Sequence, residues 1–151
     1  MDDFRPASAL IVGAGSGLSA SLARAFARDG LQVSLAARDT DKLAGLCAET
    51  GAGAYPCDAA DAGQVKALFA ALDDGPGAPD VVVYNPSYRV RGSFTDLDPA
   101  EIEKTLRVTA YGGFLVAQQA ARRMLEKGAG VILFDPIFQG LAVSLIAGAI
   151  A

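Results

Sequence analysis

Histidine is absent from the chain, and cysteine occurs only twice. Without histidine, the sequence excludes a His-based catalytic triad and a His-ligated metal site. The two thiols, Cys47 and Cys57, do not have the spacing of metal ligands. Residues 1–6 contain no apolar stretch of the signal-peptide kind. These features predict reduced cysteines in a cytoplasmic protein.

Basic residues are also fewer than acidic ones. The chain has 13 Lys and Arg against 17 Asp and Glu, which gives a formal net charge of −4. An acidic protein is a poor match for nucleic acid or an anionic membrane surface, so neither is expected as a partner. Apolar residues make up 52% of the 151 residues, enough to bury a core without disulfides or metals. We therefore expect one globular domain over residues 1–151.

Short apolar runs recur along the chain and predict strands at 9–12, 32–36, 54–57, 81–83 and 131–134. Pro56 removes a backbone donor, so the third strand is expected at an edge of the sheet. Helical patterns fill the intervals. The first carries a stripe of Leu18, Leu22 and Phe26, and the second runs from about 41 to 49.

Two further helices have recognisable starts. Asp61 can cap the third, and Asp98-Pro99 begins the last, which runs to about 127. Strands and helices thus alternate with short connections. This order predicts an α/β fold: a Rossmann-type, doubly wound parallel sheet with right-handed crossovers, truncated after about five strands.

The first predicted strand ends in a glycine-rich turn, Gly13-Ala14-Gly15-Ser16-Gly17-Leu18. Glycine lets the chain turn tightly and lets its backbone approach a phosphate without an intervening Cβ. The N–H groups that open the next helix, aided by the helix dipole, can then bind a pyrophosphate. A purely structural turn is the alternative. The strand before the turn and the helix and strand after it favour a dinucleotide site.

Read as Gly-x-x-x-Gly-x-Gly, this turn resembles that of the short-chain dehydrogenase/reductase family. Gly13 and Gly17 match the pattern, and Ser19 stands where the last glycine is usual, which implies phosphate binding with slightly looser helix packing. The resemblance covers residues from about 7 to 130. It implies hydride transfer between a nicotinamide cofactor and a carbonyl or secondary alcohol; the substrate itself is not indicated.

The end of the second strand bears on the choice of cofactor. An acid there usually binds the ribose 2′-OH of NAD, whereas this chain has Ala37 followed by Arg38. A guanidinium can bind a 2′-phosphate in a bidentate manner, and no acid repels it. NADP(H) is therefore predicted. The alternative is NAD, with Arg38 a solvated residue.

Two later segments also match the family. The segment Cys57-Asp58-Ala59-Ala60-Asp61 resembles its short acidic segment, in which Asp58 would accept a hydrogen bond from the adenine amino group; either aspartate could instead be a helix-start residue. The segment Tyr84-Asn85-Pro86-Ser87 stands where the family has Asn-Asn-Ala-Gly. Asn85 would brace the sheet, and Pro86 and Ser87 would lie beside the cofactor ribose.

The catalytic residues of the family are not matched. The resemblance places Thr109 at the position of its catalytic Asn, and no Tyr-x-x-x-Lys pair follows. Tyr84 and Tyr88 lack a lysine at that offset, so no tyrosine is expected beside a lysine that could lower its pKa. The chain is thus interpreted as the cofactor-binding half of an oxidoreductase without its proton-transfer half. The alternatives are a non-catalytic nucleotide-binding module or a truncated fragment.

The last segment, 131–151, departs from the family pattern. From Pro136 onward it carries no charge and resembles a fragment of a membrane helix from an efflux transporter. It is shorter than the ~20 residues that span a bilayer, so no membrane association is expected. Alternatives are an apolar helix packed on the sheet or a foreign, frameshifted end. In the family the long helix after the fourth strand packs in a dimer interface, which implies a homo-oligomer.

Overall fold

A computed structural model describes residues 4–134, which form a five-stranded sheet flanked by helices. Every neighbouring pair of strands is parallel, and the order is β3-β2-β1-β4-β5. From β1 the chain adds β2 and then β3 on one side. It then crosses back and adds β4 and β5 on the other side of β1. The predicted doubly wound fold and the edge position of the third strand are confirmed. The strands are β1 Ser8–Val12, β2 Gln32–Ala37, β3 Gly53–Pro56, β4 Val81–Tyr84 and β5 Val131–Phe134.

The helices lie where the periodicity predicts them, with one difference. The single long helix expected after β4 consists of two α-helices joined by a π-helical turn at Arg107–Tyr111. A π-turn inserts an extra residue per turn, and such turns often lie at functional sites. The helices are α1 Leu18–Arg28, α2 Ala44–Thr50, α3 Ala62–Asp74, α4 Pro99–Leu106 and α5 Gly112–Lys127, with short 3₁₀ turns at Asp41–Leu43 and Phe94–Asp96.

Both faces of the sheet are covered, because successive side chains of a strand point to opposite faces. In β1, Leu10 and Val12 pack in one apolar cluster with α3 and α5. Ala9 and Ile11 pack in a second cluster with α1 and α2. All four side chains are buried. This two-sided burial explains why β1 appears in the sequence as a continuous apolar run.

The inner face of α1 differs from the predicted stripe. Leu18 is 52% exposed, and the buried positions are Ser19, Ala20 and Ala23. Leu22 and Phe26, the other two residues of the stripe, are partly buried and pack against the second cluster as predicted. The small side chains at the buried positions let the helix approach the sheet closely. Because successive residues of an α-helix are rotated by 100°, a helix that faces the sheet with these positions directs Leu18 away from it. The helix caps are as predicted: Asp61 accepts from Gln64 N at 2.9 Å, and Asp98 accepts from Ala100 N at 2.9 Å.

One carboxylate closes the amino-terminal edge of the sheet. Asp80 accepts hydrogen bonds from Ala7 N at 2.8 Å and Ser8 N at 3.1 Å, and it pairs with the Lys127 ammonium. Burial raises the pKa of Asp80, but Lys127, the Ala7 N–H and the Ser8 hydroxyl outweigh burial and hold the pKa below its ordinary value. This Asp80 clasp joins the starts of β1 and β4 to the end of α5. The glycine turn lies at the opposite edge, called here the carboxyl edge, where the strands have their carboxyl ends.

Within residues 4–134, no helix is both long enough and apolar enough to cross a bilayer. The predictions made for the tail beyond Phe134, both the membrane-helix likeness and the packed apolar helix, lie outside the described residues.

Candidate nucleotide-binding site

The glycine turn starts with a backbone that only glycine fits. Gly13 has φ +77°, in the left-handed region. Its N–H and that of Ala14 both donate to Ala36 O, at 2.9 and 3.0 Å, which ties the turn to the end of β2. A Cβ on Gly13 would lie 2.6 Å from Pro86 N. Gly13 therefore lets the turn close against Pro86, the second residue after β4.

The next positions face open space. A Cβ on Gly15 or Gly17 would meet no described atom within 4 Å. Gly17 is the N-cap of α1 and supplies no side chain to its first N–H groups; Ser16 and Leu18 beside it are exposed. The first turn of α1 contains no acid. Unpaired N–H donors, the positive end of a helix dipole and room for a ligand together form a cradle that suits a phosphate.

Ser19 and Asn85 fasten this turn to β4. The Ser19 side chain is fully buried, and its hydroxyl donates to Gly13 O at 3.1 Å. Asn85 Nδ2 donates to Ser19 Oγ at 2.7 Å, while Asn85 N donates to Val12 O at 3.0 Å. Ser19 is thus a buried, hydrogen-bonded residue at the contact between α1 and the sheet, while the looser packing expected there stays a prediction. The position of Asn85 agrees with the bracing role that the resemblance implied.

Arg38 and Asp58 follow adjacent strands at the carboxyl edge. Ala37 is paired with Pro56, and Cys57 N donates to Ala37 O at 3.0 Å, so the two segments run side by side. Arg38 is exposed, and among the described residues no acid pairs with it; the neighbouring Asp39 lies 3.1 Å from Lys42 Nζ. The Arg38 guanidinium is therefore available to an anionic ligand.

The acidic segment after β3 is locally ordered. One oxygen of Asp58 accepts from Ala60 N at 2.9 Å, and Asp58 N donates to Gln64 Oε1 at 2.8 Å. Ala59 is buried, and its carbonyl lies against Gly112, so its side chain is not available to a ligand. Burial, and then the charges of Asp58 and Asp61, raise the pKa of Cys57 to about 11. The thiol is therefore protonated and unreactive at neutral pH.

Tyr84 holds a position whose importance the sequence did not reveal. Its side chain is buried, and its hydroxyl donates to Val108 O within the π-turn. Burial, followed by the charge of Asp58, raises the pKa of this phenol. A Cβ on Gly112 would lie 2.3 Å from the Tyr84 oxygen. The tandem glycines at 112–113, which make room for this ring, are the one sequence signal that could have indicated the contact.

Thr109 and Tyr88 contact each other beside the π-turn. The Thr109 side chain is buried, and its hydroxyl accepts from Tyr88 N at 3.4 Å. The Tyr88 hydroxyl donates to Glu101, and Lys104 Nζ lies 4.1 Å from the centre of the Tyr88 ring. The structure thus brings one lysine close to a tyrosine that the sequence spacing did not pair with it. The ammonium, however, lies over the ring face, whereas the phenol oxygen contacts a carboxylate.

Comparison with known proteins places this geometry in a family. A family model described as enoyl-(acyl carrier protein) reductase matches residues 13–141, beyond the predicted limit of about 130. D-threitol dehydrogenase of Mycolicibacterium smegmatis is 32% identical over 130 residues, which are 83% of this chain and 50% of that protein.

Solved structures give the same result. A short-chain type dehydrogenase/reductase from Mycobacterium marinum superposes with a TM-score of 0.80 at 31% identity, over 84% of this chain and 54% of that one. A gluconate 5-dehydrogenase from Burkholderia cenocepacia, solved with NADP and tartrate, gives a TM-score of 0.78 at 31% identity, over 84% and 52%. This chain thus spans about half the length of these relatives. Because the family match covers most of its residues and the fold agrees, the chain belongs to the short-chain dehydrogenase/reductase family.

Proposed function

We propose that this chain binds NADP(H) as the nucleotide-binding half of an oxidoreductase acting on a carbonyl or secondary alcohol. The observation that carries the proposal is the open cradle over Gly15 and Gly17. It lies where the strand order reverses beside β1, and doubly wound sheets bind their ligands at such a point. The bound cofactor would supply or accept the hydride. The residues of the chain would bind and orient it.

Arg38 supports NADP(H) over NAD(H). It follows β2 in the position where an acid would bind a ribose 2′-OH, and its charge is not neutralised by a described acid. A 2′-phosphate would receive a charge-assisted, bidentate pair of hydrogen bonds from the guanidinium. The relative solved with NADP is consistent with this choice.

Fluorescence titration with NADPH and NADH tests the cofactor assignment. We expect Arg38→Ala to weaken NADPH binding about ten- to a hundredfold, the equivalent of ~1.5–3 kcal/mol, and to leave NADH binding nearly unchanged. Arg28→Ala is the control, because Arg28 is an exposed arginine at the far end of α1. Equal wild-type affinities for the two cofactors, or no loss in Arg38→Ala, would refute the assignment.

We also propose that the 151-residue chain has no dehydrogenase activity alone. Hydride transfer requires a positioned proton donor or acceptor, whose loss costs ~10²–10⁴ in rate. The hydroxyls of Tyr84 and Tyr88 are engaged by Val108 O and Glu101, and Thr109 supplies no amide. NADPH oxidation over a panel of ketones and aldehydes checks this. Turnover above ~1 s⁻¹ would contradict it.

A non-catalytic nucleotide-binding module is the second candidate. It is favoured by the half-length match to the relatives. The two candidates differ in one observable: a longer reading frame that supplies a serine and a Tyr-x-x-x-Lys pair favours the enzyme. Resequencing of the coding region beyond residue 130 distinguishes them, because a frame that still lacks these residues favours the module.

We further propose that two copies associate through the outer face of α4 and α5. Leu106, Tyr111 and Phe114 are 45%, 45% and 57% exposed there, and a groove of about 460 Å³ lies among the first two and Arg107. Exposed apolar patches of this kind mark protein interfaces. Phe114→Glu should convert a dimer to a monomer in multi-angle light scattering, whereas Arg28→Glu, on the exposed end of α1, should not. A monomeric wild type at high concentration would refute the proposal.

A further inference from the structure

The loop at 85–91, called here the β4 loop, leaves β4 at the carboxyl edge and is fastened at its first residue. Asn85 N donates to Val12 O at 3.0 Å, and Asn85 Nδ2 donates to Ser19 Oγ at 2.7 Å. Pro86 then packs against Gly13. These contacts hold the start of the β4 loop against the phosphate cradle.

A second attachment lies three residues later, on the other side. Tyr88 uses three groups at once: its N–H donates to Thr109 Oγ1, its hydroxyl donates to Glu101, and its ring lies under Lys104 Nζ at 4.1 Å. A cation over an aromatic face and a hydrogen bond to a carboxylate are each favourable, and together they fix the orientation of the ring. Tyr88 therefore ties the β4 loop to α4 and the π-turn.

Ser87 lies between the two attachments and remains accessible. It is exposed, and its hydroxyl makes no hydrogen bond to any residue in 4–134. Since both of its neighbours are held, the position of Ser87 relative to the cradle depends on them. A polar group held in this way is preorganised for a ligand, because little further ordering is needed on binding.

We propose that Tyr88 is a positioning residue, which holds Ser87 and the backbone of the β4 loop in place for the nicotinamide-ribose half of the cofactor. This inference rests on the proposed binding of NADP(H). The adenosine half would contact Arg38 and Asp58 at the other end of the edge, remote in sequence from Tyr88 and its contacts. Loosening the β4 loop should thus weaken one half of the ligand selectively.

Two ligands separate this role from a general effect on the fold. NADPH contains both halves, whereas adenosine 2′,5′-bisphosphate lacks the nicotinamide half. Tyr88→Phe removes only the hydroxyl and lowers the fraction of chains with an ordered loop, so NADPH binding should weaken about three- to tenfold. Binding of the bisphosphate should be unchanged within about twofold. Tyr55→Phe is the matched control, since Tyr55 lies on β3 and its hydroxyl would be 3.9 Å from a Cβ on Gly75, at the end of α3, and it should alter neither affinity.

A second measurement does not depend on the cofactor. Trypsin cleaves after exposed Arg89 and Arg91 in the β4 loop, and Tyr88→Phe should accelerate this cleavage without accelerating cleavage after Lys127 at the opposite edge. Equal losses of both ligands, unchanged NADPH affinity, or unchanged cleavage in the loop would each overturn the positioning role. A wild type that binds neither ligand would instead refute the proposed function, and with it the role of Tyr88 in cofactor binding. Faster cleavage of the β4 loop in Tyr88→Phe would then show only that Tyr88 holds the loop.

Discussion

Substituting Gly13 with alanine should be among the most damaging small changes in this chain. The left-handed backbone at φ +77° costs a residue with a Cβ roughly 1–2 kcal/mol. The added methyl would also lie 2.6 Å from Pro86 N, a backbone atom of a residue adjoining the anchored Asn85. Overpacking of that kind costs about 1–3 kcal/mol. Gly13→Ala should therefore reduce the free energy of unfolding by about 2–5 kcal/mol.

Two other glycines separate these contributions. Gly30 has φ +87° but open space around its Cβ position, so Gly30→Ala should cost only the conformational part, about 1–2 kcal/mol. Gly15 has neither constraint within the described residues, so Gly15→Ala should leave stability within about 0.5 kcal/mol. Urea denaturation followed by circular dichroism measures all three variants against the wild type.

Cofactor binding should follow a different order. Gly15→Ala places a methyl in the proposed phosphate cradle and should weaken NADPH binding while the fold is retained. The steric reasoning is refuted if Gly13→Ala is no less stable than Gly30→Ala. In that case the turn must relax away from Pro86 at little cost.

Two further variants test the clasp and the buried phenol. Asp80→Asn should lower the free energy of unfolding by about 2 kcal/mol at pH 7. Because the pKa of Asp80 is depressed in the folded state, this contribution is present above the ordinary carboxyl pKa and is lost as the pH falls below about 4. The urea midpoints of the variant and the wild type should therefore converge in acid. A constant difference down to pH 2 would contradict the ionic origin. Tyr84→Phe leaves Val108 O without its donor and should cost about 1–3 kcal/mol in thermal or urea unfolding. Tyr55→Phe serves as its control, and equal unfolding midpoints for the two variants would mean that water replaces the lost Tyr84 hydroxyl.

Local chemistry explains why much of the fold could be predicted from the sequence. Asp61 and Asp98 cap helices through side chains that reach only two or three residues along the chain. Pro56 restricts its strand to an edge through the absence of its own N–H. The glycine turn is likewise recognisable because its constraint is a property of each residue's own backbone. Such signals need no knowledge of distant segments.

The contacts that required the structure join segments far apart in sequence. Tyr88 contacts Lys104 and Glu101 because α4 packs beside the β4 loop, and no spacing pattern in the sequence indicates these contacts. The π-turn is contacted by a residue 24 positions earlier, because the Tyr84 hydroxyl donates to Val108 O, and the sequence around the turn does not indicate that contact. Leu18 was misassigned for a related reason: the small residues that set the inner face of α1 give a weak hydrophobic signal, whereas the exposed leucine gives a strong one.

The Asp80 clasp also has a consequence for the order of events in folding. Its carboxylate joins Ala7, 73 residues earlier in the chain, to Lys127, 47 residues later. Closing loops of that length costs entropy before any contact repays it. The clasp should therefore form after the folding transition state, once β1, β4 and α5 have already met. Asp80→Asn should then accelerate unfolding and leave the refolding rate almost unchanged, so that the clasp acts mainly to slow the opening of the folded chain.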